Sequence, residues 1–192
     1  MKVFFLGGTF NPPHFGHTKI VEECLDRCDK FILIPNEKSP EKLNFIVTKS
    51  SHRLNMLRLI FDSSKVNIDE FELKSNNINY TYLTIRYLRK KYKDASLTMV
   101  LGLDQLLNFK NWKNNEEIID SVNILCFNRY SKLEFNRKNM NFNNIKFIDN
   151  FNIEISSSSI REKIKNFHLN QCIKTLDKKV LEYIKKHQLY AT

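Results

Sequence analysis

Gly7-Gly8-Thr9-Phe10-Asn11-Pro12-Pro13-His14-Phe15-Gly16-His17 is the stretch on which the reading of this chain turns. The 192 residues include only four glycines and four prolines, and this stretch holds three of the former and two of the latter. Glycine serves where a backbone must bend sharply or let another group come close, and proline stiffens a loop by fixing φ. Residues 7–16 are therefore expected to form a rigid loop that a ligand can approach. Upstream, Lys2–Leu6 reads as a short buried strand. Downstream, Gly16–Arg27 reads as an amphipathic helix with Ile20, Val21, Cys24 and Leu25 inward.

The loop is neither a Walker A segment nor a dinucleotide fingerprint, because Gly-Lys-Ser/Thr and G-x-G-x-x-G are both absent. Its backbone N–H groups near Gly7–Phe10 can face an anion. His14 and His17, three apart at the start of a helix, share one face of the first turn. The helix amino end adds partial positive charge. Together these groups suit a phosphate chain. A pair of core histidines or a chance metal site is the alternative, which the flanking glycines and prolines disfavour.

Further along the chain, strands alternate with helices. Lys30–Ile34 reads as a strand ended by Pro35, followed by a polar loop over 36–49. Ser50 or Ser51 could cap a helix to about Phe61, and Val66–Leu73 alternates like a strand. Tyr80–Lys91 is helical in pattern, and Leu97–Leu101 is a strand stopped by Gly102. Asn115–Ser121 reads as a helix and Val122–Phe127 as a strand. Residues 128–152 are Asn-rich, with one strand near Ile145–Ile148. A helix begins at Ser156–Ser159, and Cys172–His187 reads as a last helix with a basic outer face. This alternation predicts a single α/β domain over 1–192, with a mainly parallel sheet and a helical C-terminal part from about 156. In such sheets ligands bind outside the carboxyl ends of strands, where the Gly/Pro loop falls.

Composition bounds the function. A mass of 22.9 kDa suits one domain with its own core. No apolar run approaches the roughly 20 residues of a membrane helix. No secretory leader is expected, since Lys2–Leu6 gives way at once to Gly7-Gly8. Four scattered cysteines (Cys24, Cys28, Cys126, Cys172) fit reduced thiols and a cytoplasmic location better than a disulfide framework or a zinc site. The net charge of +10 favours anionic partners, but abundant Lys, Asn, Ile and Phe fit A/T-rich codons, so charge alone decides little. A basic RNA-binding module would rest on that charge only, with no RNP-type aromatic motif or G-x-x-G clamp.

On these residues the chain resembles the H-x-G-H nucleotidyltransferases. In detail it is similar to bacterial-type nicotinate mononucleotide adenylyltransferases, which join the mononucleotide to the AMP part of ATP and release pyrophosphate. Leu101-Gly102-Leu103-Asp104 resembles that family's G-x-D strand end, and Asn79-Tyr80-Thr81 its S-Y-T segment. Ile155-Ser156-Ser157-Ser158-Ser159-Ile160-Arg161 resembles I-S-S-T-x-I-R. Trp112 stands where the family's pyridine-stacking Trp stands, Arg53 to Met56 resembles its R-x-x-M helix, and Pro35 to Lys42 its P-P-H-K loop. The departures are Ser39-Pro40-Glu41-Lys42 for Pro-Pro-His-Lys, Leu83 for the Asp after S-Y-T-x, and Ser158 for Thr. Pantetheine-phosphate adenylyltransferases and cytidylyltransferases share the H-x-G-H signature, but usually carry Asp where this chain has Asn11.

The resemblance implies ATP and nicotinate mononucleotide as partners, with neither membrane nor nucleic acid, and a homo-oligomer is compatible with it. It implies a Rossmann-like fold, a mainly parallel sheet with helices on both faces, and His14, His17 and Arg161 as catalytic residues. Gly8, Thr9, Phe10, Asp104, Ser157 and Ser158 would join them in holding ATP, and Asn11, Lys42, Thr81, Trp112 and Lys113 would hold the mononucleotide. Asp104 could accept hydrogen bonds from ribose hydroxyls, Trp112 offers a flat face for stacking, and the Arg161 fork suits phosphate. Mg²⁺ is expected to arrive with ATP, since the sequence shows no dedicated carboxylate cage.

Overall fold

A computed structural model describes residues 1–37, 47–75, 78–128, 144–149, 151 and 153–191. Six strands form one sheet: β1 (Lys2–Gly8), β2 (Lys30–Pro35), β3 (Val66–Ile68), β4 (Ser96–Gly102), β5 (Asn123–Phe127) and β6 (Ile145–Ile148). Their spatial order is β3-β2-β1-β4-β5-β6, and every neighbouring pair is parallel. The Rossmann-like expectation is met, down to the strand placed at Ile145–Ile148.

Period-two alternation sends successive side chains to opposite faces. Val3 and Phe5 of β1 face one apolar layer with Ile85 and Leu88 of α3 (Thr81–Lys91) and Ile118 of α5 (Asn115–Ser121). Phe4 and Leu6 face the other, with Ile20, Val21 and Cys24 of α1 (Phe15–Leu25) and Leu57 of α2 (Ser50–Ile60). Leu25, expected inward, is half-buried against that second layer. A third cluster joins Met56 of α2 to α6 (Ser157–Lys165), a 3₁₀ turn (Leu169–Lys174) and α7 (Lys178–Lys186). Among the described residues no helix is long and apolar enough to cross a membrane, and all four cysteines are buried as thiols rather than disulfides.

The structure corrects several expectations. The strand expected over Val66–Leu73 stops at Ile68. Asp69 turns the chain there: its carboxylate accepts the Phe71 N–H at 3.0 Å and Lys91 Nζ at 2.7 Å. The helix expected over Cys172–His187 is two pieces. Asp177 accepts the Lys179 N–H at 2.7 Å and so caps a new helix. Cys172, Leu176, Val180 and Ile184 are all buried, so four-residue apolar spacing runs through the break and hid it. Neither Ser50 nor Ser51 caps α2; Lys49 holds the cap position without a side-chain hydrogen bond. A short α4 (Leu103–Leu107) and a 3₁₀ turn (Phe109–Asn111) after β4 were not foreseen.

Candidate active site

The first strand, β1, pairs with β2 on one side and β4 on the other, so chain direction around the sheet reverses between β1 and β4. That is the switch point at which open α/β sheets form their crevice. A cleft of about 710 Å³ opens there, beyond Gly8 of β1 and Gly102 of β4. Gly8, Thr9, Phe10, Asn11, His14, His17, Thr81, Asp104, Trp112, Lys113, Ser157, Ser158 and Arg161 all line it. Lys42 and the Ser39–Lys42 departure lie outside the described residues.

At one end, the two histidines close the amino end of α1 as a reciprocal cap. The Gly16 N–H donates to His14 Nδ1 at 3.1 Å, and the His14 N–H donates to His17 Nδ1 at 3.2 Å. Each Nδ1 is thus an acceptor, which puts the proton of the neutral ring on Nε2. The rings lie 3.8 Å apart between centroids, with the Phe10 edge against His17.

None of the loop's glycines has positive φ. The left-handed residue is Phe10, at φ 48°. A Cβ on Gly16 would come within 2.9 Å of His14 Cε1, and one on Gly8 within 3.1 Å of the Phe10 ring. These two glycines make room for rings, while Gly7 has open space beside it.

The loop backbone is held from three sides. Arg53, 1% exposed, donates to the carbonyls of Thr9 (2.7 Å), Asn36 (2.8 Å) and Thr48 (2.9 Å), and to Glu37. Ser157 Oγ donates to the Pro12 carbonyl at 2.9 Å. Arg161 donates to the Asn11 carbonyl at 2.9 Å and to Ser158 Oγ at 3.1 Å. These contacts occupy only two of the five guanidinium donors. The α6 cap is Ser156, whose Oγ accepts the Ser159 N–H. The N–H groups of Ser157 and Ser158 begin the helix and have no intrahelical acceptor. Asn11 is buried, with its side-chain Oδ1 engaged by the Tyr190 hydroxyl at 2.8 Å. It is thus part of the frame around the site as well as its wall.

The other end is more open. Asp104 is exposed in the first turn of α4, where Gln105 reaches it at 3.3 Å. Trp112 is half-buried, its ring 5.4 Å from Phe109. Core packing and a cleft-facing position therefore coexist. The backbone N–H of Trp112 donates to the Phe109 carbonyl at 3.0 Å. Thr81 opens α3, and Lys113 Nζ sits 4.6 Å from the Tyr80 ring centroid.

Sequence reasoning passed over Glu72. It lines the cleft, is 7% exposed, and accepts the Thr84 hydroxyl at 2.5 Å. Burial pushes its carboxyl up to about 7 despite that hydrogen bond. No local pattern separates it from the other polar residues of 69–79. Among the described residues no group of three or more His, Cys, Asp or Glu could hold a metal.

Residues 5–163 match the family model described as cytidylyltransferase-like. A protein of Borrelia garinii subsp. bavariensis, named "Probable nicotinate-nucleotide adenylyltransferase", is 36% identical over 99% of this chain and 95% of its own. One of the same name from Clostridium acetobutylicum is 33% identical over 98% of each. The chain belongs to the nicotinate-nucleotide adenylyltransferase family. The fold agrees: a solved Plasmodium falciparum nicotinic acid mononucleotide adenylyltransferase, complexed with NaAD, superposes with a TM-score of 0.84 at 20% identity, covering 98% of this chain and 97% of that one. The chain is accordingly a nucleotidyltransferase of NAD biosynthesis.

Proposed function

We propose that the histidine-capped loop and the amino end of α6 hold the ATP phosphates while the Thr81–Trp112 end of the cleft holds nicotinate mononucleotide. The 5′-phosphate oxygen of the mononucleotide bonds to the α-phosphorus of ATP. The bond from that phosphorus to the bridging oxygen breaks, and pyrophosphate leaves with the electron pair. The products are deamido-NAD and pyrophosphate. A phosphate nucleophile is already ionised near neutrality, so the protein need supply no general base. What it supplies is position and neutralisation of charge.

The observation that carries this reading is the reciprocal cap. With both Nδ1 atoms accepting backbone N–H groups, His14 and His17 present Nε2–H donors at a helix amino end beside the cleft. Such donors suit the α- and β-phosphate oxygens. The remaining Arg161 donors and the Ser157 and Ser158 N–H groups suit the leaving pyrophosphate. Asp104 suits ribose hydroxyls. Mg²⁺ brought with the nucleotide would supply further neutralisation of phosphate charge. A cytoplasmic location goes with four cysteines kept as thiols.

The acid is preferred over the amide because Thr81 and the amino end of α3 offer donors. A carboxylate accepts through both oxygens, whereas an amide would turn its NH₂ toward a donor. An unmet polar group costs about 1–3 kcal/mol, or roughly 5- to 150-fold. The test is pyrophosphate release from ATP with nicotinate or nicotinamide mononucleotide. We expect kcat/KM to favour the acid by that factor. Comparable values would overturn the selectivity, and no release with either would overturn the reaction.

A further inference from the structure

The segment after α7 folds back onto the active-site loop, and nothing in the reaction described above uses it. After the His187 cap, Gln188 and Tyr190 both take left-handed backbone conformations, at φ 51° and 67°. For residues with a Cβ this is a strained choice, and it persists only where surrounding contacts enforce it. Here the Leu189 N–H returns to the Ile184 carbonyl at 3.1 Å, and Leu189 and Tyr190 pack on the apolar cluster of α6 and α7. The turn delivers the Tyr190 hydroxyl to Asn11 Oδ1, 179 positions earlier in the chain, at 2.8 Å.

Asn11 is thereby held twice, through its carbonyl by Arg161 and through its side chain by Tyr190. The Pro12 carbonyl beside it is held by Ser157. Two residues further on stands His14, which caps α1. The same phenol is hydrogen-bonded to the Thr48 side chain, and the Thr48 carbonyl accepts from Arg53, the residue that fixes Thr9. One hydroxyl therefore joins the loop after β1 to the segment entering α2.

We propose that Tyr190 is a positioning residue of the adenylyl transfer, a latch that sets the Asn11–His14 turn against the ATP phosphates through Asn11. The inference rests on the assignment of that loop to ATP. Burial raises the phenol to about 12 although Arg161 and Arg53 face it, so the hydroxyl remains a donor across the working range. A phenylalanine would keep the ring in the apolar cluster and delete only the latch.

The test is Tyr190→Phe, alone and in an Asn11→Ala background. Melting temperature, calorimetric affinity for an ATP analogue with a methylene bridge between the α- and β-phosphates, and kcat are to be measured. A hydrogen bond between neutral groups corresponds to about 3- to 10-fold. We expect Tyr190→Phe to melt within a few degrees of wild type, with kcat lowered and the analogue Kd raised by about that factor. In the Asn11→Ala background the second substitution should change neither by more than about twofold. A merely structural role would lower the melting temperature and leave kcat per folded molecule and Kd alone. Values of both within twofold of wild type, or an undiminished loss in the Asn11→Ala background, overturn the latch. If wild type releases no pyrophosphate with either mononucleotide, the reaction assignment fails, while the analogue affinity still decides the latch.

Discussion

The two ends of the cleft are built in opposite ways. At the phosphate end, Thr9, Asn11 and Pro12 each give a backbone carbonyl to a side chain from a distant helix, and each of the two histidines caps the turn that carries the other. At the pyridine end, Trp112 is half-buried and Lys113 is exposed in the turn before α5, its Nζ over the face of Tyr80. Charge that develops during phosphoryl transfer must meet donors already in place, since reorganisation at that moment adds to the barrier. A ring that only stacks tolerates a softer floor. The phosphate end should therefore lose kcat when altered, and the pyridine end KM.

The largest effect should follow His17→Ala. Loss of one preorganised donor typically costs about 10²–10³-fold in kcat, roughly 2.7–4 kcal/mol. His17 also caps the His14 N–H, so the variant should lose about 1 kcal/mol of stability as well. Steady-state kinetics beside a thermal melt separate the two losses. A folded variant with kcat within tenfold of wild type would remove the contrast between the ends.

Glu72, bonded to Thr84 one turn along α3 from Thr81, tests the same contrast through stability. Its carboxyl is raised from an ordinary 4.5 to about 7 by burial. The folded protein thus holds that proton more tightly than the unfolded chain does. The favourable contribution is full below pH 4.5 and is lost as pH rises through 7, by on the order of 3 kcal/mol. Glu72→Gln has no proton to lose. Its melting temperature relative to wild type should therefore climb between pH 5 and pH 8. A flat difference would mean that water from the cleft already solvates the carboxylate, and that the pyridine end is wetter than its burial implies.

How much of this was legible in the sequence follows from where each signal resides. The loop could be read because Gly7, Gly8, Gly16, Pro12 and Pro13 crowd one stretch of a chain that otherwise has few of either residue. The strands could be read because apolar runs and turn residues are local. What Gly16 does was not legible, since the obstacle to a side chain there is the His14 ring in its capped position. Arg53 was visible as part of a motif, but its three carbonyl acceptors lie 5 to 44 positions away, one in the loop after β1 and two at the ends of the β2–α2 connection. Glu72 and Tyr190 carry no local mark, because burial and a partner 179 positions away belong to the tertiary fold. The backbone N–H of Trp112 closes a 3₁₀ turn that a run of Asn and Lys does not announce.

The smallest expected effect lies at Trp112, and it bears most directly on the softer end. The indole rests partly on Phe109 and partly lines the cleft, so its removal thins a wall without unseating the phosphates. Aromatic stacking contributes about 0.5–1.5 kcal/mol beyond the area it buries. Trp112→Ala should accordingly raise the mononucleotide KM about 2- to 10-fold and leave kcat nearly unchanged, because a stack is worth the same in the ground state and in the transition state. The acid and amide rings present equal faces, so both KM values should rise by similar factors and the selectivity ratio should hold. Steady-state kinetics with both mononucleotides read each quantity. A fall in kcat comparable to that of His17→Ala would show the two ends to be one rigid unit. A change in the acid-to-amide ratio would move part of the selectivity from Thr81 and the amino end of α3 to the indole. An unchanged KM for both substrates would remove the stacking role, leaving Trp112 as the lid of the Phe109 core.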